Sequence, residues 1–121
     1  MQRVLITGAT GFVGGWMLKR LRQSRLDAEL WAVSDMPSPP GDSLFDEYRQ
    51  LDIRDDQAVQ ALVAECRPTH VFHLAGLVGP APLADYLAVN AVGSSNLYNA
   101  LADLRLEPAP KIVQIGSPAA Y

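Results

Sequence analysis

The chain has 121 residues, 49% hydrophobic and 19% charged, and its 10 basic against 13 acidic side chains leave a net charge of −3. That length and apolar content fit one globular domain that can bury a core without a metal or disulfide staple, and they exclude a disordered chain. An acidic chain without a basic cluster argues against nucleic acid as a partner, and no apolar run approaches the roughly 18 residues of a membrane span.

The opening residues, Met1 to Gly8, lack a basic segment followed by a long apolar one, so no signal peptide is expected. A lone cysteine, Cys66, suits a reducing cytoplasm. Arg3 to Thr7 is a compact apolar run ending at Gly8, read as a buried first strand. Gly11 to about Ser24 reads as a helix with Val13, Met17 and Leu21 on one face and Leu18 beside them. Glu29 to Ser34 is a second strand, and the proline-rich stretch Pro37 to Ser43 is a loop. Tyr48 to Leu51 is a short third strand. Asp56 to Cys66 is an amphipathic helix with Val59, Leu62, Val63 and Cys66 inward, capped by Asp55 and stopped by Arg67-Pro68. His70 to Ala75 is a fourth strand, Gly76 to Pro82 a loop, Leu83 to Leu104 one long helix, and Lys111 to Ile115 a fifth strand.

Strands alternating with helices predict an α/β domain over residues 1–121, a Rossmann-type parallel sheet with helices on both faces. Right-handed crossovers give the strand order 3-2-1-4-5. Ligands of such sheets sit at the carboxyl ends of the strands, where the order reverses. The informative positions are therefore Gly8 onward, Ser34-Asp35, Leu74 onward and Ser117.

The segment Thr7-Gly8-Ala9-Thr10-Gly11-Phe12-Val13-Gly14 is the strongest local signal. Gly8 permits a sharp turn, Gly11 clears a side chain from an approaching pyrophosphate, and Gly14 lets the helix pack closely on the sheet. The helix N-terminus offers unpaired N–H groups, so the phosphates need no lysine. The bland alternative is a tight strand-to-helix turn with no ligand. An acid is expected roughly 20 residues further on to hold a ribose, and Asp35 stands 21 residues beyond Gly14. A carboxylate there repels a 2′-phosphate and favours NAD over NADP. Two alternatives stay open: Ser34 occupies the key position, or Asp35 is a solvated loop residue.

His70 and His73, three apart on a strand, point to opposite faces and make poor joint metal ligands. No metal site is expected, and both histidines and Cys66 read as structural. Asn90 interrupts the inward stripe Tyr86, Gly93, Leu97, Leu101, Leu104 and needs a partner, either backbone in the sheet or a water in the site. Leu87, Val89 and Val92 give that helix a second apolar face.

With these residues in place, the chain resembles the extended short-chain dehydrogenase/reductase family of NAD(P)-dependent epimerases, dehydratases and reductases. Thr7 to Gly14 matches its TGxxGxxG turn, and Leu51-Asp52-Ile53 resembles its adenine-contacting segment. His73-Leu74-Ala75-Gly76 resembles the HLAG motif whose backbone lines the cofactor. Val89 to Gly93 with Asn96-Leu97 resembles the NxxGTxNLLEA helix, and Ile115 to Tyr121 the strand-five motif. The wording is most similar to that of GDP-4-dehydro-6-deoxymannose reductases and GDP-mannose dehydratases. The resemblance implies a dinucleotide held by Gly8, Thr10, Gly11, Phe12, Val13, Gly14, Ser34, Asp35, Asp52, Ile53, Leu74, Ala75, Gly76 and Leu77, a nucleotide-sugar substrate, and Ser117 as the active-site hydroxyl. The bland reading of Ser117 is a strand-ending serine that caps local backbone. In relatives the helix at 83–104 pairs with a twofold mate, so a homodimer is expected; covering of its second face by the protein's own chain is the alternative.

The family's Tyr-x-x-x-Lys pair does not occur in these residues; Tyr121 matches another tyrosine of the strand-five motif. The expectation is an N-terminal portion, truncated after strand five and inactive alone, with an unpaired edge prone to association. The alternative is a binding module of the same fold that senses a dinucleotide without catalysis.

Overall fold

Continuous burial along the two central strands sets the architecture: Val4 to Thr7 and Leu30 to Ser34 are buried, so both faces of the sheet are covered. The computed structural model describes residues 1–24, 27–37, 44–77 and 80–115. Five strands, β1 (Gln2–Thr7), β2 (Ala28–Ser34), β3 (Glu47–Gln50), β4 (His70–His73) and β5 (Lys111–Gln114), pair in the order β3-β2-β1-β4-β5. Every pairing is parallel, and Leu5 lies between Trp31 and Val71 while Thr7 lies between Val33 and His73. The expected order and both-faces layering are therefore present.

One face carries Leu5, Trp31, Val33 and Val71, packed under α2 (Asp56–Cys66) and α4 (Ser94–Leu104). The other carries Val4, Ile6, Leu30 and Ala32, packed under α1 (Phe12–Gln23). In α2 all four expected inward residues are buried, and the Asp55 side chain accepts the Ala58 N–H. Arg67, in the left-handed conformation, ends the helix before Pro68. Burial pushes the Cys66 thiol up to about 12, in keeping with a core residue.

Two helices depart from expectation. α1 buries Gly14 and Leu18, not the predicted Val13–Met17–Leu21 face: Val13 is exposed, and Met17 and Leu21 are half-buried. The reason is the close seating of Gly14, which fixes the phase of the helix and brings Leu18, one turn on, to the sheet. The run 83–104 is helical throughout but not one α-helix: α3 (Leu83–Tyr86) passes into a π-helical segment, Leu87–Gly93, before α4. Such wide turns are rare, and this one holds two anchors. Asn90 bonds the chain ahead of α3, and Gly93 lies so close to Ile53 that a Cβ would sit 2.5 Å from its Cγ2.

β5 pairs with β4 alone among the described residues, and Ile112 and Val113 on its two faces stay exposed. The proline-rich loop expected over 37–43 falls outside the described residues apart from Pro37, and the loop at 76–82 is described except for residues 78 and 79.

Candidate functional site

The carboxyl ends of β1, β2 and β4 open into a cleft of about 450 Å³ at the point where the strand order reverses. Its floor is made where β1 meets β4. Gly8 turns there with φ +67°, and a Cβ on it would lie 2.7 Å from the Ala75 nitrogen and 2.8 Å from the Leu74 carbonyl carbon. Only glycine permits both that dihedral and that approach. The Gly11 N–H closes the turn on the Gly8 carbonyl at 3.1 Å. Gly14 then packs so tightly that a Cβ would lie 2.8 Å from Ala9 Cα. Gly11 precedes the first turn of α1 and supplies no side-chain cap. The leading N–H groups of a helix have no partner within it, and here they carry the partial positive charge that suits an anion.

On the β2 side the hydroxyls of Thr10 and Ser34 are hydrogen-bonded at 2.9 Å, and Ser34 also accepts the Met36 N–H. Ser34 is buried and spent on these contacts, whereas Asp35 is exposed on the cleft wall. Beyond β3, Asp52 grips Arg54, accepting Nε and Nη2 of its guanidinium, which holds the Asp52 carboxyl below its usual range.

The helical run after β4 pins both lips of the cleft. Asn90 accepts the Leu77 N–H at 2.7 Å and donates to the Leu77 carbonyl at 3.1 Å. Asn96 donates to the carbonyls of Ile53 and Arg54. Asn90, expected to be buried, is exposed and finds its partner in the backbone of the loop at Leu77 rather than in the sheet.

The structure brings Gly8, Thr10, Gly11, Ser34, Asp35, Asp52, Ile53, Leu74, Ala75, Gly76 and Leu77 together around one cleft. Phe12, Val13 and Gly14 do not line it, and the Phe12 side chain is 91% exposed. Ser117 lies outside the described residues. Sequence reasoning did not single out Thr7, Val33, Arg54, Asp85 and Val89 as lining residues, whereas Leu51, in the segment likened to the adenine contact, does line the cleft. Among the described residues no group of three His, Cys, Asp or Glu could hold a metal, and no helix is long and apolar enough to cross a membrane.

A parallel sheet in this order, with a glycine turn at its reversal point, defines a Rossmann-type domain. The chain belongs to the NAD dependent epimerase/dehydratase family, matched over residues 4–121. Uronate dehydrogenase of Agrobacterium fabrum is 36% identical over 113 residues, covering 93% of this chain and 40% of that protein. A crystal structure of a single-site mutant of Agrobacterium tumefaciens uronate dehydrogenase with NAD superposes with a TM-score of 0.78 at 34% identity, over 97% of this chain and 41% of the other. UDP-glucose 4-epimerase of Thermus thermophilus, also with NAD, gives 0.74 at 27% identity over 92% of this chain and 36% of the other. The chain therefore spans less than half the length of each of these relatives. A nicotinamide dinucleotide is the cofactor of the family, and the bare helix terminus with its glycine cradle fits its pyrophosphate.

Proposed function

We propose that these residues are the dinucleotide-binding part of an oxidoreductase that acts at a sugar carbon of a nucleotide sugar. The observation that carries this reading is the uncapped first turn of α1 standing at the sheet's reversal point, beside an exposed carboxylate at the end of β2. The bound cofactor supplies hydride transfer; the chain supplies the binding and orientation. Backbone of Gly8, Thr10 and Gly11 cradles the pyrophosphate, with the leading N–H groups of α1 facing it and Gly14 seating that helix close to the sheet. Asp35 accepts from the adenosine ribose, with Ser34 fixing the backbone behind it. Asp52 and Ile53 flank the adenine, and Leu74 to Leu77 line the path to the reacting end. Ser117 would hydrogen-bond the sugar oxygen.

NAD is favoured over NADP, because Asp35 repels a 2′-phosphate and the nearby Arg54 is already engaged by Asp52. The likeness to UDP-glucose 4-epimerase supports a nucleotide sugar. The likeness to uronate dehydrogenase supports a second substrate class, a free uronic acid. Exposed Leu83, Leu87 and Val92 on the run after β4 support a homodimer through 83–104 in the parent protein. The lone, buried Cys66 supports a cytoplasmic setting.

Calorimetric titration with NAD and NADP tests the reading. NAD should bind the more tightly, and Asp35→Ala should narrow the preference by about tenfold, the worth of a charge-assisted hydrogen bond. Silence with both dinucleotides on folded protein overturns it. These residues alone should show no turnover, since they contain no Tyr-x-x-x-Lys. Assay of the parent against nucleotide sugars and uronic acids separates the substrate classes, and binding without turnover there would favour the sensing module.

A further inference from the structure

Three contacts converge on the hydroxyl of Thr7, at the end of β1. Its oxygen accepts the N–H groups of Leu74 and Ala75, each at 3.1 Å, and lies 2.7 Å from His73 Nδ1. Across the ring, His73 Nε2 lies 2.8 Å from the Ser94 hydroxyl on α4. A hydroxyl has two lone pairs and one proton. The two amides fill the lone pairs, so the Thr7 proton goes to Nδ1. The ring must then be neutral, with its proton on Nε2 and donated to Ser94.

We propose that His73 is a positioning residue for the dinucleotide: as a neutral imidazole protonated on Nε2, it orients the Thr7 hydroxyl so that Leu74 and Ala75 are fixed against Gly8 on the cleft floor. This rests on the dinucleotide reading of the cleft. Thr7 and His73 are each 2% exposed, so water does not replace a lost partner. The groups facing the ring are Thr7 from β1 and Ser94 and Tyr98 from α4, Tyr98 edge-on at 5.8 Å, with Gln114 of β5 hydrogen-bonded to the Tyr98 hydroxyl. None carries a charge at neutral pH; burial raises the Tyr98 phenol further.

Protonating Nδ1 would confront the Thr7 oxygen with three donors and two lone pairs, and one backbone N–H of the cleft would lose its acceptor. Burial already pushes His73 below its ordinary value of 6.5. With a depressed folded-state value, the relay is complete above 6.5 and is lost as the pH falls through that lower value. Stability and dinucleotide affinity fall together in the acid direction.

The test compares the wild type with His73→Asn and His73→Gln. The asparagine amide oxygen can sit near the Nδ1 position and still accept from Thr7. The longer glutamine carries its amide to the Ser94 side and leaves Thr7 without an acceptor. Long-range proton–nitrogen spectra of the wild type should show the Nε2-protonated ring at neutral pH. Amide exchange at Leu74 and Ala75 should stay slow in His73→Asn and quicken about tenfold in His73→Gln, as for one lost hydrogen bond. NAD affinity, followed from about pH 8 to about pH 5, should fall on the acid side in the wild type. It should lose that fall in His73→Asn, and be about tenfold weaker throughout in His73→Gln. An Nδ1-protonated or charged ring at neutral pH overturns the proposal. So does His73→Gln matching the wild type, or His73→Asn losing protection as fully as His73→Gln. Should the wild type bind neither NAD nor NADP, the dinucleotide reading fails, while the spectra and exchange rates still decide whether His73 sets the loop.

Discussion

β1 and β5 are written in nearly the same letters. A basic residue leads an apolar run in each, Arg3-Val4-Leu5-Ile6 and Lys111-Ile112-Val113. Their fates are opposite: Val4, Leu5 and Ile6 are at most 1% exposed, whereas Ile112 and Val113 are 43% and 49% exposed. Composition makes both of them strands; position in the sheet decides burial. β1 has β2 and β4 on its flanks, α1 on one face and α2 with α4 on the other. β5 has β4 on one flank, and its described link to a helix is the Tyr98–Gln114 hydrogen bond. The cleft is built on the over-determined strand, where Thr7 and Gly8 inherit the rigidity of the residues before them.

The sharpest way to break this comparison is to remove the same kind of group from each strand. Ile6→Ala deletes a side chain that is 0% exposed in the cluster with Leu18, Leu30 and Ala32. It should destabilise by about 2–5 kcal/mol, read as a lower midpoint in urea unfolding with an unchanged slope. A loss below about 1 kcal/mol would mean that the centre of the sheet is packed no better than its edge.

Gly93→Ala probes whether the same over-determination reaches the helical side of the cleft. The added methyl would meet Ile53 Cγ2 at 2.5 Å, and Ile53 sits in the turn that Asn96 holds. The expected cost is about 1–3 kcal/mol, as for other overpacked sites. The same variant should weaken dinucleotide binding if Ile53 is displaced. Unchanged melting together with unchanged binding would show this wall to be soft.

How much of this was legible in the sequence depends on whether the deciding contact is local. α2 was readable in full because its cap Asp55, its inward residues and its Arg67-Pro68 stop all lie within a dozen or so positions and agree. The glycine turn was readable for the same reason. The outward direction of Phe12 was not, because the phase of α1 is set by Gly14 against Gly8 and Ala9, a steric fact of the folded turn. The π-helical stretch was invisible to a search for 3.6-residue periodicity, since what anchors it is Asn90 meeting Leu77 across a loop. His73 read as an ordinary structural histidine because Thr7 and Ser94, which give it a defined proton, are 66 and 21 residues away.

The smallest effect closes the comparison from the other end. Ile112 occupies the register position beside Val71, a residue only 1% exposed, yet keeps 43% of its own surface in solvent. Truncating it removes fewer contacts and leaves a dent open to water, so no sealed cavity adds to the transfer cost. Ile112→Ala should therefore cost about 0.5–1 kcal/mol, well below the value at Ile6. The measurement is informative in both directions. A cost as large as that of Ile6→Ala would mean that β5 is covered in solution by a second copy, and light scattering on the same sample would show the larger mass. A small cost with a monomeric wild type leaves β5 as an open edge, and Val113→Lys, on the opposite face, should then reduce association at high concentration without altering the unfolding midpoint.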